Sequence, residues 1–149
     1  MLPFVFLMLF GVIDFGSIMY RNLATRQGVQ QSARIASVGT FGTTTSCVLT
    51  PAPASSVTTK LMCQTKALTG VIDQRSIRVN VVVPSYARSA QMLICTESLQ
   101  RSISGVFSGI LKGSVTKTKA VVRIEKVSTT ETPATAAETS LSGSWSWCS

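Results

Sequence analysis

Residues 1–20, MLPFVFLMLFGVIDFGSIMY, decide how this chain is organised. Fifteen of these residues are apolar, four are Phe, and Asp14 carries the one charge. The whole chain has 149 residues, a formal net charge of +8 and 45% hydrophobic residues. Outside the opening stretch, about 40% of residues are apolar, which is ordinary for a soluble domain. An apolar rod is therefore joined to a small head. Twenty helical residues at 1.5 Å each span about 30 Å, the thickness of a bilayer core.

Working outward from Tyr20, the helical pattern continues. Leu23, Ala24, Val29, Ala33 and Ala36, and less regularly Ile35 and Val38, recur at three- and four-residue steps. Asn22, Thr25, Arg26, Gln27, Gln30, Gln31 and Arg34 cover the remaining faces. Gly28 interrupts the run without ending it, and Gly39 and Gly42 read as its stop. The spacing predicts one helix of about 35 residues within 1–38, greasy in its first half and amphipathic in its second, with the head occupying 39–149.

Arg21, Arg26 and Arg34 directly follow the apolar stretch, so the positive-inside rule applied to this chain alone places the head in the cytoplasm. The cysteines point outward. Cys47, Cys63, Cys95 and Cys148 are even in number, with no CxxC pair and no His to complete a zinc site. Three pairings are open to them; the spacing favours Cys47 with Cys63 and Cys95 with Cys148, and four buried free thiols are the alternative. Disulfides would put the head outside the cytoplasm. A surface whose Ser and Thr outnumber its charged residues agrees with export by correlation alone. A basic leader preceding Met1 would reconcile the two signals. A cleavable signal peptide within the chain is disfavoured, because there is no basic stretch before Leu2 and no small-x-small site after the apolar run. Asp14 at bilayer depth costs a few kcal/mol unless it is compensated. A partner on another chain, protonation, or an interfacial position near Arg21 would each compensate it, and the first is favoured.

These residues carry a resemblance. Pro3, the motif Gly11-Val12-Ile13-Asp14-Phe15-Gly16, Tyr20 and Ala33-Arg34-Ile35-Ala36 at this spacing resemble the N-terminal region of TadE-like proteins, pilin-like components of tight-adherence (Tad) type IV pilus systems. Ala120-Val121-Val122-Arg123-Ile124-Glu125 is similar to the strand ending in Arg-x-Glu that such proteins often carry near the C-terminus. This sequence departs from the family in having Asp14 where Glu is more usual, and Gln30-Gln31-Ser32 where Arg-Glu-Gly often stands. The resemblance implies a pilin-like fold and assembly with other pilin subunits, as a homo- or hetero-oligomer, through a helix surface marked by Pro3, Gly11, Asp14, Phe15, Gly16, Tyr20 and Arg34. In such packing Pro3 and Gly11 mark points of bending or close approach. It further implies a minor or tip-associated subunit at a bacterial cell surface, held in the membrane before assembly with its head outside the cytoplasm.

In the head, residues 40–58 are rich in Thr, Ser, Pro and Gly and read as a loop whose order depends on Cys47. Ser55 or Ser56 can cap a short helix running to about Leu68, with Val57, Leu61 and Leu68 on its apolar face and Gly70 as its stop. Ile77, Val79, Val81 and Val83 alternate with polar and apolar neighbours up to Pro84, a strand signal. A second strand is expected over 89–101, with Met92 and Ile94 on one side and Leu93, Cys95 and Leu99 on the other. A third is expected over 116–127. Between them, Ile103, Val106, Phe107, Ile110 and Leu111 fall at helical steps, but three Gly make a short, irregular helix or loop. The tail 128–144 reads as flexible up to Trp145, Trp147 and Cys148, which dock on the sheet more readily than they bind a ligand. The expected class is α+β: a long, partly transmembrane N-terminal helix and a small antiparallel sheet packed on its C-terminal half.

Chemistry has little to work with. There is no His, the six carboxylates stand at least six residues apart, and no Ser/His, Cys/His, phosphate-loop or metal-ligand arrangement occurs. No catalytic residue, cofactor or metal is therefore expected. A structural subunit is the leading reading. The alternative is a membrane-anchored extracytoplasmic module for anionic partners, DNA or a cell-wall polymer, with Lys112, Lys117, Lys119 and Arg123 as its local basic cluster. A solvated strand face explains that cluster more simply.

Overall fold

The structure, a computed structural model, describes residues 2–41, 47–70, 73–128 and 132–149. The stop at Gly42 and part of the loop before Cys47 lie outside those residues. Helix α1 runs from Leu2 to Ser37 without a break. Gly39 then turns the chain at a φ of 67°, a left-handed value that suits glycine, while its N–H donates to Ala36 O. The last turn is closed from outside as well, since Glu125 N and Lys126 N both donate to Ser37 O.

Helix α2 (Ser56–Leu68) begins where its hydroxyls predict, with Ser55 Oγ accepting from Thr58 N, and Gly70 follows its end at a φ of 62°. A single 3-10 turn, capped by Asp73, leads into β1 (Ile77–Val82), which pairs antiparallel with β2 (Gln91–Leu99). A short helix α3 (Ser108–Leu111) connects β2 to β3 (Val115–Arg123), again antiparallel. The side chain of Ile110 lies outside the described set. A two-residue strand, β4 (Ala136–Ala137), completes the sheet in the order β3-β2-β1-β4.

The alternation read from sequence puts Ile77, Val79 and Val81 on one face, opposite Met92 and Ile94. This face meets Leu61 and Met62 of α2 and Val29, Ala33 and Ala36 of α1, forming one core. The molecule is thus α+β, with the sheet layered on the second half of the rod.

Several expectations change on contact with this packing. Leu23 is exposed, as is Val38 beyond the helix end, although both fit the apolar period. The flank that α1 buries contains Thr25, Gly28 and Ser32 instead. Thr25 and Ser32 satisfy their hydroxyls on Arg21 O and Val29 O of their own helix, so burial leaves them no lost partner. Gly28 is the crossing point with α2. A Cβ there would lie 2.6 Å from Thr69 N and 2.7 Å from Leu68 O. Leu68 itself is half-buried. The third strand ends at Arg123, because Ile124 turns into the core and its neighbours cap α1.

The tail is the largest difference. Read as flexible because it lacks apolar periodicity, its described part is tied down by polar groups. Glu138 is fully buried. Its Oε1 accepts from Lys66 Nζ at 2.8 Å, Arg78 Nη1 at 3.3 Å and Thr50 N at 3.0 Å, and its Oε2 from Val79 N at 2.8 Å. Burial pushes the Lys66 ammonium below its ordinary pKa, and Glu138 opposes that. Lys66 also donates to Val48 O and Gln74 O, which satisfies the other protons of a buried cation.

Farther along, the tail crosses the outer face of the sheet. Cys148 is joined to Cys95 there, and Cys47 is joined to Cys63 beside α2. Glu97, also buried on that face, accepts from Leu141 N, Ser140 Oγ and Trp147 Nε1. Burial raises its pKa, but the hydrogen bonds from Ser142, Ser140 and Trp147 outweigh burial and hold the carboxyl below its usual range.

Candidate functional site

Burial divides α1 in two. In its second half one flank is covered by the head. In its first half the apolar side chains from Phe4 to Ile13 stand mostly bare, as do Phe15, Met19 and Tyr20. Val12 is 72% exposed and Phe15 65%. The head closes its own core without these groups, leaving an apolar surface far larger than the scattered exposure of ordinary monomers. The helix is long and apolar enough, by length and composition, to cross a membrane.

One polar group interrupts this surface, and it is 2% exposed. Asp14 Oδ1 accepts from Ile103 N and Ser104 N, both at 2.9 Å. Its Oδ2 accepts from Ser102 Oγ and Ser104 Oγ, both at 2.6 Å. The carboxylate therefore clasps the loop between β2 and α3, with two amides on one oxygen and two hydroxyls on the other. Asp14, expected to find its partner on another chain, is met among the described residues by four donors of its own head. One turn toward the N-terminus the ring of Phe107 covers Gly11, lying 3.7 Å from where a Cβ would stand.

The residues marked as an assembly surface do not converge on one place. Gly11 and Asp14 meet the head; Phe15, Gly16 and Tyr20 face outward; Pro3 sits in the first turn, where a missing N–H costs no helical hydrogen bond. Gly16 has nothing within 4 Å of a would-be Cβ, so it leaves a smooth spot on the bare flank. Arg34 is exposed 20 residues beyond Asp14, about 30 Å along the axis.

The basic cluster is similarly divided. Lys117, Lys119 and Arg123 share the outer face of β3, and Lys112 lies in the turn before it. Two of these cations are occupied within the chain: Lys117 Nζ lies 5.6 Å from the centroid of a Trp147 ring, and Lys119 Nζ donates to Ser149 O at 2.7 Å. Among the described residues no group of three or more His, Cys, Asp or Glu is placed to hold a metal.

Sequence reasoning missed Ser102 and Ser104 as partners of Asp14, and Lys66, Glu97 and Glu138 as anchors of the tail. A local signal existed for the first pair, since Ser-x-Ser-Gly is a segment whose hydroxyls and amides readily converge on an anion. None existed for the others: Lys66 and Glu138 stand 72 residues apart in the chain, and Glu97 and Ser140 stand 43 apart.

Residues 1–34 match the family described as TadE-like protein. No curated protein and no solved structure matches the chain significantly. The matched stretch takes in the bare apolar half of α1.

Proposed function

We propose, from the match of residues 1–34 to the TadE-like family, that the chain is a pilin-like structural subunit, minor or tip-associated, of a Tad pilus. The observation that carries this reading is the bare flank of α1. A domain that completes its own core yet leaves the apolar side chains from Phe4 to Ile13, and Phe15, mostly bare needs a second apolar environment. The bilayer supplies it before assembly, and helices of neighbouring subunits supply it afterwards. Contacts of that kind repeat head to tail and extend without closing. The two disulfides support a head outside the cytoplasm, at the cell surface or on the pilus. Asp14 serves assembly indirectly, by fixing the head's height and orientation on the rod.

A photo-crosslinking residue at Val12 tests the subunit reading in piliated cells. Adducts with other pilus subunits support it; adducts with lipid alone, together with unchanged piliation when the chain is deleted, overturn it. Substituting Asp14 by Ala should leave the disulfide-linked head folded and abolish incorporation into filaments. Normal incorporation would remove Asp14 from the account.

A module for DNA or another anionic polymer has less support, because Lys117 and Lys119 already contact the docked tail. Charge reversal at both positions, with DNA retention by the cells unchanged, would remove it.

A further inference from the structure

We propose that the segment 102–111 is a second membrane-contacting element, so that the rim of the head rests in the boundary between headgroups and acyl chains beside α1. The inference rests on the reading that α1 crosses a bilayer before assembly.

The segment reads SISGVFSGIL, ten residues without a charge, bracketed by exposed Arg101 and Lys112. Ile103 is 60% exposed and Val106 is 52% exposed, although both belong to a loop the head could have filled with polar groups. Phe107 and Leu111 line an apolar cleft with Gly11, Phe15 and Ile18, so the loop's apolar surface continues into the bare flank of the rod. Exposed apolar groups on their own would not choose between lipid and water.

The backbone makes the choice. Ile103 N and Ser104 N donate to Asp14 Oδ1, and Gly105 N and Val106 N donate to Ser102 Oγ and Ser104 Oγ. Ser108 N and Leu111 N donate to Gly105 O and Phe107 O. Six of the segment's ten backbone amides are thereby met inside the chain, where a loop in water can leave its amides to solvent. In a medium of low polarity each unmet amide costs several kcal/mol, so irregular backbone is tolerated only when its donors are met inside the protein. A carboxylate placed at bilayer depth and spent on two amides and two hydroxyls is the device that makes this loop compatible with lipid.

Depth agrees. Arg21, the next charge along α1, follows Asp14 by seven residues, about 10 Å of helix. With the Arg21 guanidinium at the phosphates, the loop's contacts with Asp14 and Gly11 lie about 10–15 Å below them, at the lower edge of the zone where amphipathic elements rest. Tyr20, Arg21 and Arg101 line a crevice of about 340 Å³ on the headward side of the loop, the residue types expected at a membrane interface.

The test uses the full chain in nanodiscs of phosphatidylethanolamine and phosphatidylglycerol, one copy per disc. Val12→Cys, Val106→Cys and Val121→Cys variants carry a polarity-sensitive nitrobenzoxadiazole, and the acyl chains carry a nitroxide near the headgroup. The native cysteines are all in disulfides, so the label goes to the introduced thiol. The expected result is blue-shifted emission that loses most of its intensity to the nitroxide at residues 12 and 106, and unquenched emission at residue 121. Quenching at 12 with residue 106 behaving like 121 overturns the inference and leaves the reading of α1 standing. No quenching at 12 overturns both. Protection of residue 106 only in discs holding two copies makes the loop a subunit contact and overturns the inference. Ile103→Cys replaces Val106→Cys if the latter fails to fold, with the same outcomes.

Discussion

Replacing Gly28 by Ala should loosen the head from the rod, although alanine is the better helix former. The new Cβ would stand 2.6 Å from Thr69 N, 2.7 Å from Leu68 C and 2.7 Å from Leu68 O, all backbone atoms at the end of α2. Ordinary contact needs close to 1 Å more, and backbone cannot swing aside as a side-chain tip can. Overpacking of this kind costs about 1–3 kcal/mol, and an obstacle made of backbone places it near 3. Alanine returns about 1 kcal/mol in helix propensity, leaving a net loss of about 2 kcal/mol. For a unit of this size that lowers Tm by about 4–8 °C. Gly16→Ala is the matched control, since nothing lies within 4 Å of its Cβ; it should be neutral or stabilising by up to about 1 kcal/mol. Thermal unfolding followed by tryptophan emission in one detergent compares the two variants directly. Equal Tm values for Gly28→Ala and the parent protein would refute the close crossing of α1 and α2.

Glu138→Ala should cost about 3–5 kcal/mol, because it leaves the Lys66 ammonium buried without its counter-charge. Guanidinium unfolding measures this, and adding Lys66→Met should restore part of the loss; a cost under about 1 kcal/mol would show the pair to be solvated. The lowered pKa of Glu97 gives a pH dependence of known sign. Its contribution is fully present above the ordinary carboxyl value near 4.5 and is lost as pH falls through the lower folded value, so Trp147 emission should change in acid while Glu97→Gln flattens that change. Opening the Cys95–Cys148 bridge, whose sequence separation is 53, should lower stability by about 4 kcal/mol on the chain-entropy account, against about 3 for Cys47–Cys63 at a separation of 16. Cys148→Ser should therefore be the costlier change in a denaturation series.

The elements with a local cause were legible from the residues. The rod follows from an unbroken helical period, α2 from the hydroxyl of Ser55 and the freedom of Gly70, and β1 and β2 from alternation of period two. The buried flank of α1 was misread at Leu23, Gly28 and Ser32. Apolar period reports which side chains prefer burial, whereas a close helix crossing selects small ones whatever their polarity. The tail was misread for a related reason. Its order comes from Glu138 and from the donors around Glu97, charged and polar groups that satisfy one another only once distant segments are in place.

Sequence alone determined that an apolar rod precedes a small α+β head and that residues 1–34 carry the pattern of TadE-like proteins. Both are properties of neighbouring residues: helical period, hydrophobic content and motif spacing depend on nothing farther than a few turns away. Tertiary structure alone decided what Asp14 does. A carboxylate with no partner in its own helix could have waited for another chain, a proton or an interface. The return of residues 102–104 to the rod, 88 to 90 positions later, gave it four donors and made it the clasp between rod and head. No local rule contains that pairing, because it exists only after β1 and β2 have paired and carried the chain back to α1.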